Sequence, residues 1–393
     1  MVSRAAGDPT LAASAADGVR AFTADLYRRL SRPDGNVVCS PYSVAVALAM
    51  ARTGARGKTA AEMDRVLHAP GLDVLNGGLG AMDALLEKRS GTVRRADGST
   101  AKVEVHVANS LWGQQGVTWH STFLDALARF YGAGMRLADY RRDPEAARSR
   151  INAWTSAETN GKIDHLIPER LLTELTRLVL VNAIYLKAPW EHPFDKSGTE
   201  VLPFIRADGS AVTVPTMRAE IPTARYARGA GWEAAELRYA GNRLAMTVIL
   251  PDRGALQAVQ DGLDGDQIAR ILRSPARVGA LDLQIPKWSF RTTAPLNDTL
   301  MALGMPTAFE PTADFSGMTS EEQLSIGAVQ HEAFIAVDEA GTEAAAATAV
   351  IMVDSAAGPE SVAMVVDRPF LFVIHDIPTT TPLFIGRVTD PST

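Results

Sequence analysis

An α+β fold is predicted by three features of the sequence. Apolar residues at helical spacing are concentrated in the first third of the 393 residues. Runs rich in β-branched residues, bounded by Gly, Pro or Asp, dominate from about residue 175. No internal repeat and no Gly/Ser or Pro linker divides the chain, so one domain spanning 1–393 is expected. In chain order, Asp17–Leu30 is amphipathic, and Ser40-Pro41 caps a helical run through Val44–Ala51. Lys58–Leu67, Leu79–Lys88 and Ser121–Phe130 repeat the helical spacing. The expected strands are Arg177–Leu186, Ala211–Met217, Leu244–Leu250, Ala280–Ile285, Leu324–Val337 and Phe370–His375. Helices segregated from strands in this way argue for several sheets in one α+β body.

Composition narrows the function. The net charge is −6, so no positive field draws the chain to nucleic acid or anionic lipid, and neither is an expected partner. No apolar run approaches the length of a membrane span; Leu178–Leu186 is broken by Asn182 and followed by Lys187. The single cysteine, Cys39, excludes intramolecular disulfides and a thiolate-only metal site. Met1–Ser14 carries one arginine and no sustained apolar stretch, so a secretory leader is not visible in it. A chain that began there without a leader would stay in the cytoplasm.

Enzyme signatures fail one after another. Gly57-Lys58-Thr59 resembles the end of a phosphate-binding loop, but Arg52 stands where its opening glycine belongs. His331-Glu332 begins a zinc-protease pattern, yet Ile335 occupies the second histidine position, leaving one ligand where three are needed. No Gly-x-Ser-x-Gly elbow occurs, so a catalytic serine has no local signature. Asn297-Asp298-Thr299 is a glycosylation sequon, which implies only that the segment would lie on a surface if used. No catalytic residue, metal or cofactor is expected, and the chain reads as a non-enzyme.

Asp338–Asp367 looks like neither core nor active site. It follows a strand ending at Val337 and includes Gly341-Thr-Glu-Ala-Ala-Ala-Ala-Thr-Ala349. Poly-alanine suits a helix or a plain linker. Read with period 2, however, Thr342, Ala344, Ala346, Thr348 and Val350 share one parity, all small or β-branched and uncharged, while Glu343 falls on the other. Such a stretch is able to enter a sheet as a strand, and a loop of this length is functional by preference.

Asp338-Glu339-Ala340-Gly341-Thr342-Glu343-Ala344 resembles the hinge of the serpins, the large protease inhibitors. Further segments agree: Asn36-Val-Val-Cys-Ser-Pro-Tyr-Ser43 with Ala47-Leu-Ala-Met50, Gly54-Ala55 and Thr59; Val181-Asn-Ala-Ile-Tyr-Leu-Lys187 with Trp190 and Pro193-Phe194; and Asp367-Arg-Pro-Phe-Leu-Phe372 with Phe384-Ile-Gly-Arg387. The resemblance covers nearly the whole chain, in order, and is to an inhibitory, prokaryotic-type member. It implies three β-sheets, about nine helices and an exposed reactive-centre loop at about 339–365. It further implies a monomer acting outside the cell on a target serine protease. That protease cuts the loop, forms an acyl-enzyme, and is trapped when the cut hinge inserts into the main sheet. The alternative is a non-inhibitory serpin acting as a binding or chaperone module, which typically breaks the small-residue parity.

Residue roles follow from the same resemblance. Gly341 gives the hinge its freedom, Thr342 is the first inward residue, and Ala344, Ala346 and Thr348 continue that parity. Glu339 and Lys287 match an ion pair where the sheet opens, with Trp190 beside it. Ser43, Asn152, Asn182 and His331 match a polar cluster that controls opening at the sheet centre. The cleaved bond lies about sixteen residues past the hinge glutamate, at Ser355-Ala356. Counting back from Pro369 lands nearer Gly358, so the loop is longer than usual around the cut. No Lys or Arg lies between Thr342 and Val366, which disfavours a trypsin-like target and favours an elastase-like or subtilisin-like one. Met352 and Asp354 are secondary candidates for the cut.

Overall fold

The computed structural model describes residues 9–31, 34–222, 224–342 and 361–393. Among them are nine α-helices: α1 (Pro9–Leu30), α2 (Pro41–Gly54), α3 (Gly57–Val66), α4 (Leu72–Glu87), α5 (Ser121–Tyr131), α6 (Pro144–Glu158), α7 (Leu256–Asp261), α8 (Gly265–Arg273) and α9 (Asn297–Leu303). Three sheets hold the strands. The main sheet runs in the order β13 (Trp288–Pro295), β14 (Ala328–Asp338), β15 (Gly341–Thr342), β5 (Leu178–Pro189), β3 (Thr100–Gln114) and β2 (Gly91–Arg94), with β4 (Arg136–Ala138) beside β3. A second sheet runs β1 (Val37–Cys39), β18 (Thr381–Val388), β17 (Phe370–Asp376), β10 (Leu244–Pro251), β9 (Trp232–Arg238), β8 (Arg225–Gly229) and β11 (Ala276–Arg277). The small sheet is β16 (Ser361–Val365), β12 (Ala280–Pro286), β7 (Ala211–Pro222) and β6 (Glu200–Ile205).

The centre of the main sheet is buried on both faces, which explains why β5 is apolar at both parities around Asn182. Leu180, Ile184 and Leu186 join the large core with α2, whose residues are all buried. Val179, Val181 and Ala183 pack the other way, against Ala147 and Ile151 of α6 and the segment holding Ile163 and Ile167. Ser40 caps α2 by accepting the Ser43 N–H, and Pro41 occupies its first turn.

The expected α+β class holds, but the segregation behind it is incomplete. β3, fifteen residues long, lies in the third expected to be helical, and its alternation of Ala101, Val103 and Val105 with Lys102 and Glu104 carries the period of a strand. Helices α7–α9 interrupt the strand-rich part. The strand expected from Leu324 begins only at Ala328, and α1 and α4 start several residues ahead of their expected ends. The half-buried Asn297 has both ends of its amide engaged: Nδ2 donates to the Gly327 carbonyl at 3.0 Å and Oδ1 accepts the Val329 N–H at 2.9 Å, so the sequon asparagine ties the start of α9 to the start of β14.

Candidate functional site

At the upper end of the main sheet, β14 turns through Glu339-Ala340 into β15, which wedges between β14 and β5. Gly341 and Thr342 pair antiparallel with Asp338 and Val337 on one side and with Pro189 and Ala188 on the other. The turn is closed by Asp338, whose Oδ1 accepts the Ala340 and Gly341 N–H groups at 2.8 and 3.2 Å. Gly341 has φ +153°, and a Cβ there would sit 2.3 Å from the Ala188 carbonyl oxygen, so glycine is required for backbone shape and for close approach alike.

Thr342 is 3% exposed, and its hydroxyl lies 2.6 Å from that of Tyr239. Tyr239 stacks on Trp190, with ring centroids 4.6 Å apart and planes within 5°. Trp190 grips the turn twice: Nε1 donates to the Asp338 carbonyl at 3.0 Å and its backbone N–H to that of Ala340 at 2.9 Å. The Phe194 N–H reaches the Glu339 carbonyl at 2.9 Å. Glu339 is buried; its carboxylate pairs with Lys287 Nζ at 3.0 Å and accepts the Thr199 hydroxyl at 2.8 Å. Burial pulls the Glu339 carboxyl upward, but a backbone hydrogen bond, Lys287 and Thr199 together hold it below its ordinary value of 4.5.

Below this wedge the sheet is closed. β5 and β14 pair directly and in parallel from Val179–Ala328 to Ile184–Ala333. Between the closed part and the wedge lie 185–187 on β5 and 334–336 on β14.

The closed part is locked by buried hydrogen bonds on the α2 side. His331 Nε2 accepts the Ser40 N–H at 3.0 Å, which fixes the ring proton on Nδ1, and Nδ1 lies 2.6 Å from Asn182 Oδ1. Burial depresses His331 from 6.5 to about 4, against the opposing hydrogen bond to Asn182, so the ring is neutral. Ser43 donates to Asn109 Oδ1 at 2.8 Å, and Asn109 faces Asn182 across β3 and β5. Nδ2 of both asparagines is buried without a hydrogen-bond partner among the described residues.

Ser43, Asn182 and His331 therefore converge, whereas Asn152 does not join them. It lies on α6, across the sheet, where it brackets Ile167 through Nδ2 to the carbonyl at 3.0 Å and Oδ1 from the N–H at 2.8 Å. Asn109, Tyr239 and Thr199 were not singled out in the sequence; only the β3 alternation gave a signal for the first of them. Ala344, Ala346, Thr348, Met352, Asp354, Ser355 and Ala356 lie outside the described residues. Both ends of the expected 339–365 loop are held in sheets: Glu339–Thr342 at the main sheet, and Ser361–Val365 as β16, parallel to β12.

The serpin family model, described as serine protease inhibitor, matches residues 17–391. The chain belongs to the serpin family. A serpin-like protein of Thermococcus kodakarensis, itself uncharacterised, is 38% identical over 95% of this chain and 85% of its own length. The leukocyte elastase inhibitor of Bos taurus is 34% identical over 94% of this serpin and 97% of its own length. Among solved structures, the thermophilic serpin tengpin in its native state superposes with a TM-score of 0.86 at 27% identity, covering 99% of this chain and 96% of that one. Human thyroxine-binding globulin with thyroxine gives 0.84 at 27%, covering 97% and 99%.

Proposed function

We propose that this serpin is a suicide-substrate inhibitor of elastase-like or subtilisin-like serine proteases, working as one unit over 1–393 and inserting its loop after cleavage at Ser355-Ala356. The observation that carries the reading is the seated wedge at Gly341-Thr342, because its register defines every later step. Continued down the sheet, that register brings Ala344 between Ile335 and Leu186, Ala346 between Ala333 and Ile184, and Thr348 between His331 and Asn182. These neighbours face the α2 core, so the small-residue parity falls on the buried side. Thr348 arrives where Asn182 Nδ2 awaits an acceptor, and its hydroxyl supplies one.

Insertion separates the six direct β5–β14 pairs and replaces each by pairing on both sides of a new strand. With each ladder hydrogen bond contributing about 1 kcal/mol net, two ladders outweigh the one displaced. The tethered protease is then carried away from the hinge, and no group of this chain performs catalysis. The relative named for elastase inhibition agrees with a loop lacking Lys and Arg.

Incubation with elastase, subtilisin and trypsin tests the reading. An SDS-stable complex with elastase or subtilisin, and a released peptide beginning at Ala356, is expected. Cleavage without a complex, or rapid stoichiometric trapping of trypsin alone, overturns it.

A further inference from the structure

Beside Trp190 and Phe194 lies a cavity of about 290 Å³ between the ends of the second and small sheets. Its apolar lining is Trp190, Phe194, Ile221 and Leu237. Its polar lining has an unbalanced arrangement of charge. Arg277 of β11 stands directly opposite Arg225 of β8, and Arg225 directly opposite Glu236 of β9. Like charges placed opposite each other in a sheet repel. Glu236 Oε1 already accepts Arg238 Nε at 2.8 Å, while Arg225 Nε, 3.4 Å from the same oxygen, is buried with no hydrogen-bond partner among the described residues. Arg277 is exposed and makes no hydrogen bond or ion pair among the described residues. The other lining carboxylate, Glu191, has its two oxygens taken by the Ala96 and Gly241 N–H groups. Three guanidinium groups thus stand against two carboxylates in the lining, Arg277 without an ion pair among the described residues, beside Trp190 and Phe194.

We propose that this cavity binds a small anionic amphiphile, an aromatic or short alkyl carboxylate whose body packs on Trp190, Phe194 and Leu237 and whose charge settles between Arg225 and Arg277. The volume suits a two-ring or short-chain compound, and a planar carboxylate matches the guanidinium fork. Trp190 and Phe194 also hold the hinge turn, so occupancy braces the seated wedge and slows its progress into the sheet. That consequence rests on the inhibitory mechanism, whereas binding itself does not.

Calorimetric titration of the full chain with naphthoate, with naphthalene methanol and naphthalene methylammonium as neutral and cationic controls, separates the two. Naphthoate is expected to bind saturably at one site, and both controls at least about tenfold more weakly. Arg277→Glu, an exposed change, is expected to weaken naphthoate about tenfold while leaving the ligand-free melting temperature in place. Ala96→Trp, on the exposed turn between β2 and β3 that lines the cavity, is expected to block all three compounds. Equal binding of the three compounds, no heat from naphthoate, or wild-type affinity in either variant overturns the site. Failure to trap a protease, with naphthoate binding intact, leaves the site standing and removes only its effect on the hinge.

Discussion

His331 and Gly341 each meet a physical demand that few other residues satisfy. A neutral imidazole accepts from Ser40 and donates to Asn182 at once, and protonation would set two N–H groups against each other at Nε2. The unfolded chain takes up that proton near 6.5 and the folded protein only near 4, so stability present above 6.5 is lost as the pH falls between those values. Between about pH 7 and about pH 5 the share of His331 is about 2 kcal/mol. His375, buried in the second sheet, is lowered in the same direction by burial and adds to the effect. Thermal melts across this range are expected to show the decline in wild type and a shallower slope in His331→Gln; identical slopes would count against the lock. At Gly341 a side chain meets the Ala188 carbonyl in a backbone region that strains L residues. Gly341→Val is expected to cost about 1–3 kcal/mol and to unseat the wedge. A lower melting temperature with faster nicking of the loop by non-target proteases checks this.

At the scale of a strand, the register of β15 makes the parity argument quantitative. Thr342 is already buried in the resting protein, so changing it would damage the resting seat and the proposed insertion together. Ala344 is the informative position. In the proposed inserted strand Ala344→Arg would place an unpaired cation on the α2 side at a cost of several kcal/mol, and trapping is expected to fall by orders of magnitude. Glu343→Arg, which the same register sets beside half-buried Ala336 and Lys187, is expected to stay largely inhibitory. The measured quantity is the fraction of attacking protease trapped per cut loop; equal losses in both variants would refute the parity. The Glu339–Lys287 pair and the meeting of Ser43, Asn182 and His331 were legible in the sequence because each residue lies in a segment of family-like residues, whereas the parity beyond Thr342 falls on residues outside the described ones. Asn109 was hidden by the helical reading of its third of the chain. Asn152 was misplaced because a residue type does not say on which side of a sheet its helix lies. Tyr239 and Thr199 reach the hinge only through contacts between segments far apart in the chain, which no local pattern encodes.

For the whole molecule, nicking the loop is expected to strengthen the protein. An ordinary loop, once cut, leaves stability unchanged or lowers it, whereas in the mechanism proposed above the freed end becomes a central strand paired on both sides. Limited proteolysis between about residues 345 and 358 followed by calorimetry is expected to raise the melting temperature well above that of intact protein. A cleaved form that melts at or below the intact one would rule out insertion for this chain.

The two seated residues of β15 also bear on speed. Bringing a distant chain end to a sheet costs closure entropy before any contact compensates it, and in this protein that search is finished during folding, when Gly341 and Thr342 lodge between β14 and β5. In the proposed insertion, what remains after the cut resembles a zipper with its first teeth engaged. On that mechanism each further residue would join beside one already paired, and the rate would be set by parting one β5–β14 pair at a time, the pair that carries the His331–Asn182 contact among them.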